Sequence, residues 1–176
     1  MEDQPQVSRK SIMLNYGLLM GFASIIVALV NYVVSENLYE PHWLLMVGSL
    51  AVTIIIIILG IKKVKESNSG FLSVSDAIKT GLGISLISAI VYIIYLLIFY
   101  NMIEPEYFDN MLQFQEQMII EKYPNFTDEQ LEGAIKSSAM FANTGANITM
   151  TLIFSLFIGL IISLIGGLIM RKSDED

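Results

Sequence analysis

Residues 70–110, GFLSVSDAIKTGLGISLISAIVYIIYLLIFYNMIEPEYFDN, decide the fold. The segment starts in a polar connector, crosses residues 80–102 without a charged side chain, and emerges at Glu104, Pro105 and Glu106 into acidic sequence. As a helix, an uncharged apolar run of that length measures roughly 30 Å, the thickness of the hydrocarbon core of a bilayer. Its two ends therefore belong in different compartments.

Three more runs of this kind surround it, so the spans are expected at residues 12–34, 43–61, 76–103 and 147–170. Hydrophobic residues make up 54% of the chain, charged residues only 15%, and mean hydropathy is +0.62; soluble domains carry about a quarter charged residues. The expected fold is an all-α integral membrane protein, a single four-helix transmembrane bundle over residues 1–176. A chain of this length leaves no room for a separate soluble domain with its own core. The absence of cysteine excludes disulfides and thiolate chemistry.

The first run is longer than the core of a secretory signal peptide and reads as a retained span. Pro41 stops its helix, and Trp43 opens the second span where an indole suits the membrane interface. Residues 62–75 read as a polar connector. Ser73 with Asp76, and Thr127 with Gln130, have the form of capping boxes. Residues 104–146 are the one sizeable extramembrane region. Two apolar stripes, Phe108, Met111, Leu112, Gln115 and Ile119, then Leu131, Ala134, Ile135, Ser138 and Ala142, predict a helical hairpin broken at Pro124.

Charge sets the orientation. With the amino terminus inside, Arg9, Lys10, Lys62, Lys63, Lys65, Lys79, Arg171 and Lys172 fall inside and only Lys122 and Lys136 outside, as the positive-inside rule requires. Ten of the 17 carboxylates fall outside, so that face carries −8 and the inner face +1, which together make the net −7. Both termini are expected in the cytoplasm and the two-helix insert on the extracytoplasmic side. A surface so acidic is not expected to bind nucleic acid.

The third span and its exit resemble a bacterial family of unknown function, DUF4199. The residues that carry the likeness are Ala77, Ile78, Lys79, Thr80 and Gly81 entering the span, Tyr92 and Tyr95 within it, and Ile103 to Phe108 leaving it. The resemblance implies four spans with an acidic helical insert before the last, and a place in the inner membrane of bacteria, chiefly Bacteroidota. It implies no activity, and no functional residue is carried over from it.

Ser155, Gly159, Ser163 and Gly167 recur every four residues in the fourth span. Ala77 and Gly81 start a shorter ridge in the third span, and Gly17 and Gly21 another in the first. Small residues at this spacing let helix backbones approach closely. Packing within one bundle is favoured here over a homo-oligomer interface.

The span centres contain no ionisable group of the kind that marks a proton or ion path. Asn15 and Asn31 are read as interhelical or interfacial, and His42 as an interfacial side chain rather than a ligand. No cofactor, metal or catalytic motif is recognised, so no enzyme is expected. Tyr92, Tyr95, Tyr100 and Tyr107 fit an interface belt, with a greasy pocket beneath the hairpin as an alternative that would use Met111, Phe114, Met118 and Met140. The favoured role is a membrane anchor or assembly subunit whose exterior carboxylates Glu116, Glu121, Asp128 and Glu132 contact an envelope protein. The alternative is an oligomeric transport or channel component.

Overall fold

A computed structural model describes residues 8–40 and 42–172. The helix stop assigned to Pro41 and the charged tails at residues 1–7 and 173–176 lie outside the described residues. Six α-helices follow one another: α1 (Arg9–Val34), α2 (Trp43–Ser67), α3 (Val74–Ile98), α4 (Tyr107–Lys122), α5 (Asp128–Phe141) and α6 (Thr144–Met170). A π-helical turn, Phe99–Ile103, prolongs α3. Helices α1, α2, α6 and α3 with its π turn are each long and apolar enough to cross a membrane.

α3 is the hub, packing against α1, α2 and α6. The core gathers Ile12 and Met20 from α1, Ile57 and Ile61 from α2, Ala77 and Ile84 from α3, and Ile162 from α6. The opposite faces, with Phe22, Ile26, Leu50, Ile94, Phe157 and Ile169, remain exposed. In water so much exposed apolar surface would cause aggregation, whereas in lipid it is the solvated face.

Two ends of the bundle differ. At the end where α1 begins and α6 finishes, the segment before α3 is tied to the segment after α6. Leu72 and Lys172 form an antiparallel bridge with both N–O distances at 3.1 Å, and the Lys65 ammonium donates to the Met170 carbonyl at 2.8 Å. Arg9 pairs with Asp76. The Ser73 hydroxyl accepts from the Asp76 amide at 3.0 Å and so caps α3. The connecting turn runs through Gly70, whose φ of +89° is a left-handed value natural to glycine.

At the other end α2 is little buried. Its buried residues, Ile56, Ile57, Gly60, Ile61 and Val64, all belong to its second half, while Trp43, Leu44, Met46, Val47 and Leu50 in the first half are exposed.

Element bounds depart from the sequence reading in several places, and α1 already starts at Arg9 rather than residue 12. α2 continues through Lys62, Lys63 and Lys65 to Ser67, where cations suit the negative end of a helix dipole and one of them caps the end of α6. α6 begins at Thr144 because the Asn143 side chain accepts from the Ala146 amide at 2.9 Å. Regular α3 ends at Ile98, five residues before the expected exit at residue 103.

Candidate functional site

The small-residue ridges lie between helices of this one chain. A Cβ at Gly159 would overlap the Ser85 hydroxyl, and one at Gly81 the Ser163 side chain. A Cβ at Gly167 would stand 2.7 Å from Ala77 Cβ. Ser155, Gly159, Ser163 and Gly167 on α6 thus face Ser85, Gly81 and Ala77 on α3 in a single register. One hydroxyl crosses between the helices, Ser155 donating to the Ser85 carbonyl at 3.1 Å, while Ser163 donates within α6 to the Gly159 carbonyl at 2.6 Å. On α1, a Cβ at Gly17 would meet Ile87 Cβ at 2.6 Å and one at Gly21 would meet Val91 Cβ at 2.7 Å. Gly17 and Gly21 are therefore seats for β-branched side chains of α3.

The π turn positions the second cluster. Pro105 has no N–H to offer the Asn101 carbonyl and disfavours helical backbone at Glu104. Glu104 leaves the helix at φ −131°, and its amide reaches back five residues to the Phe99 carbonyl at 2.8 Å. Two adjacent residues of this turn, Phe99 and Tyr100, are buried.

Around Phe99 and Tyr100 pack Tyr32, Tyr92, Tyr95, Tyr107 and Phe108. Ring centroids are 5.5 Å apart for Tyr32 and Phe99, 5.8 Å for Phe99 and Tyr107, and 4.6 Å for Tyr100 and Phe108. Two hydrogen bonds fasten this layer to its neighbours, Tyr32 Oη donating to Glu104 Oε1 at 2.7 Å and Tyr100 Oη to Asn147 Oδ1 at 3.0 Å. Burial, helped by the nearby Tyr39 phenol, raises the pKa of Tyr107, so its hydroxyl is a neutral donor at physiological pH.

Beneath this aromatic layer, beside the little-buried half of α2, lies a cavity of about 550 Å³ bounded by α1, α2, α3 and α6. Asn31 and His42, read from sequence as interfacial, are at its wall, as are Tyr92, Tyr95, Tyr100 and Tyr107. Asn31 Oδ1 also accepts from the Ser35 hydroxyl at 2.8 Å, whereas Asn15 is exposed on α1. Met111, Phe114, Met118 and Met140 do not line this cavity; Phe114 instead touches Tyr39 at 5.9 Å between centroids.

The insert is a hairpin of α4 and α5 packed on each other. The Thr127 and Gln130 side chains each bond the other's backbone amide, at 3.4 Å and 3.0 Å, and so start α5. Phe108, Met111, Leu112, Gln115 and Ile119 on α4, with Leu131, Ala134, Ile135 and Ser138 on α5, are among its half-buried residues. Glu116, Glu121, Asp128 and Glu132 are all exposed and are spread over both helices rather than gathered into a cluster. Among the described residues no three of His, Cys, Asp and Glu are grouped to hold a metal ion.

Four long apolar helices around a central α3, with an amphipathic hairpin inserted before the last, define a multi-pass helical membrane protein. A family model described as protein of unknown function (DUF4199) matches residues 15–172, and the chain belongs to that family. Comparison with curated proteins and with solved structures gave no match.

Proposed function

We propose that the protein is a non-enzymatic membrane anchor or assembly subunit of the bacterial inner membrane, and that its acidic insert docks another envelope protein. The observation that carries this reading is the unfinished surface of the insert. α4 and α5 are 16 and 14 residues long, yet neither has a buried residue. Met118, Ile120, Met140 and Phe141 are exposed beside the carboxylates. Eight acids and two lysines between residues 104 and 146 give this region a charge of −6, which opposes adsorption to anionic lipid and favours a partner with a basic, partly apolar face. The distribution of Lys and Arg supports cytoplasmic termini and an extracytoplasmic insert. An oligomeric channel joined through the small-residue ridges has less support, because those ridges contact helices of the same chain.

The test is charge reversal of Glu116, Glu121, Asp128 and Glu132 to Lys, followed by purification from native membranes. Losing four interfacial charges is expected to lower recovery of a bound envelope protein by more than tenfold, with membrane insertion unchanged. Recovery of the same partners at the same level by the reversed variant would refute the docking role.

A further inference from the structure

The cavity beneath the aromatic layer has the size of a small-molecule site, about 550 Å³ against the roughly 300–1,000 Å³ usual for such sites. Among the described residues its lining includes no Lys, Arg, Asp or Glu. A phosphate or ammonium head group would therefore enter without a counter-charge, which is costly in an apolar setting.

Apart from Asn31 and His42, the polar side chains that line it are hydroxyls. In membrane helices a serine usually returns its hydroxyl to a carbonyl one turn back, as Ser24 does to Met20 at 2.9 Å. By contrast, Ser88 is only 4% exposed and lines the cavity, and among the described residues no hydrogen bond from its hydroxyl is seen. Tyr92 and Tyr95 stand four and seven residues further along α3, on the same face, and line the same cavity. Their phenol oxygens also have no partner among the described residues. An unbonded hydroxyl inside an apolar site costs free energy that a ligand oxygen can recover. The Tyr92 and Tyr95 rings, 5.6 Å apart and tilted by 31°, make a broad flat wall beside this row. Leu45, Met46 and Leu50 of α2 line the cavity as well. The first half of α2, which has no buried residue, is the wall that separates the cavity from the bilayer.

We infer that this cavity binds an uncharged membrane amphiphile, an apolar chain whose head carries carbonyl oxygens that accept from Ser88, Tyr92 and Tyr95. Isoprenoid quinones and neutral glycerides share this chemistry. The proposal is independent of the docking role of the insert.

The test uses the full chain in detergent micelles, titrated separately with a decyl-substituted benzoquinone, dioleoylglycerol and, as the charged comparison, dioleoylphosphatidylglycerol, with thermal stability as the readout. Saturable stabilisation is expected from at least one neutral amphiphile and not from the phosphatidylglycerol; which neutral one acts tells the quinone from the glyceride. The double variant S88A/Y92F, which removes two hydroxyls and little volume, is expected to melt at the same temperature without ligand and to bind about tenfold or more weakly. Ala28→Phe, which adds a ring at the cavity wall, is expected to remove the response. No response to either neutral amphiphile, equal binding of phosphatidylglycerol, or undiminished affinity in the double variant would each overturn the inference.

Discussion

Gly159→Leu is expected to lower the melting temperature of the detergent-solubilised protein by about 10 °C or more. A Cβ alone at this position would overlap the Ser85 side chain, with the Gly81 carbonyl 3.5 Å behind it. Both obstacles belong to α3, the hub that α1 and α2 also pack against, so α6 cannot shift without losing the Ser155 and Ala77 contacts as well. Overpacking costs about 1–3 kcal/mol where side chains can move and more where backbone must; for a chain of this size each kcal/mol is worth about 2–4 °C. Gly48→Leu provides the comparison, since a Cβ there meets no atom within 4 Å and a leucine would extend into lipid. Equal melting temperatures for the two variants would show that α3 and α6 do not cross as described.

Phe99→Ala is expected to have the next largest effect, and a different one. Phe99 is 7% exposed, and its ring meets those of Tyr32, Tyr95, Tyr100 and Tyr107. Truncating a buried phenylalanine costs about 3–5 kcal/mol in soluble proteins, corresponding to roughly 10 °C here. The layer it supports also connects the bundle to the insert, because Tyr107 opens α4. The variant is therefore expected to be cut faster by added protease between α4 and α5, around Pro124, than the parent. A lower melting temperature with an unchanged cleavage rate would mean that the aromatic layer stabilises the bundle without positioning the insert.

The four spans, the hairpin and both helix-start motifs are legible in the sequence because each has a local cause. Uncharged runs, a period near 3.6 in the half-buried residues of α4 and α5, and a Ser or Thr three residues ahead of its partner act within one segment. The glycine and serine ridges are legible too, since only small residues allow backbones to approach closely. Hydropathy does not indicate which face of an apolar helix meets lipid and which meets protein, because both surroundings are apolar. The exposure of the first half of α2 is therefore hidden in a segment that is equally greasy along residues 43–61, and with it the cavity. The π turn has one cause visible in the sequence, Pro105. That Tyr92, Tyr95, Tyr100 and Tyr107 line one cavity is set by tertiary packing and has no local signal. Ser88 carried no signal at all in the sequence; its distinction is its place at the cavity wall, a property of the assembled bundle.

The account depends most on four crossings that put the insert and the chain termini on opposite faces of one membrane. The chain has no cysteine, so a single introduced thiol reports its own location. With Asn125→Cys between α4 and α5 and Lys63→Cys near the end of α2, labelling by a membrane-impermeant maleimide is the most direct measurement. In intact spheroplasts Asn125→Cys is expected to react and Lys63→Cys to react only after the membrane is permeabilised. Reaction of both, or of Lys63→Cys alone, in intact spheroplasts would contradict the arrangement.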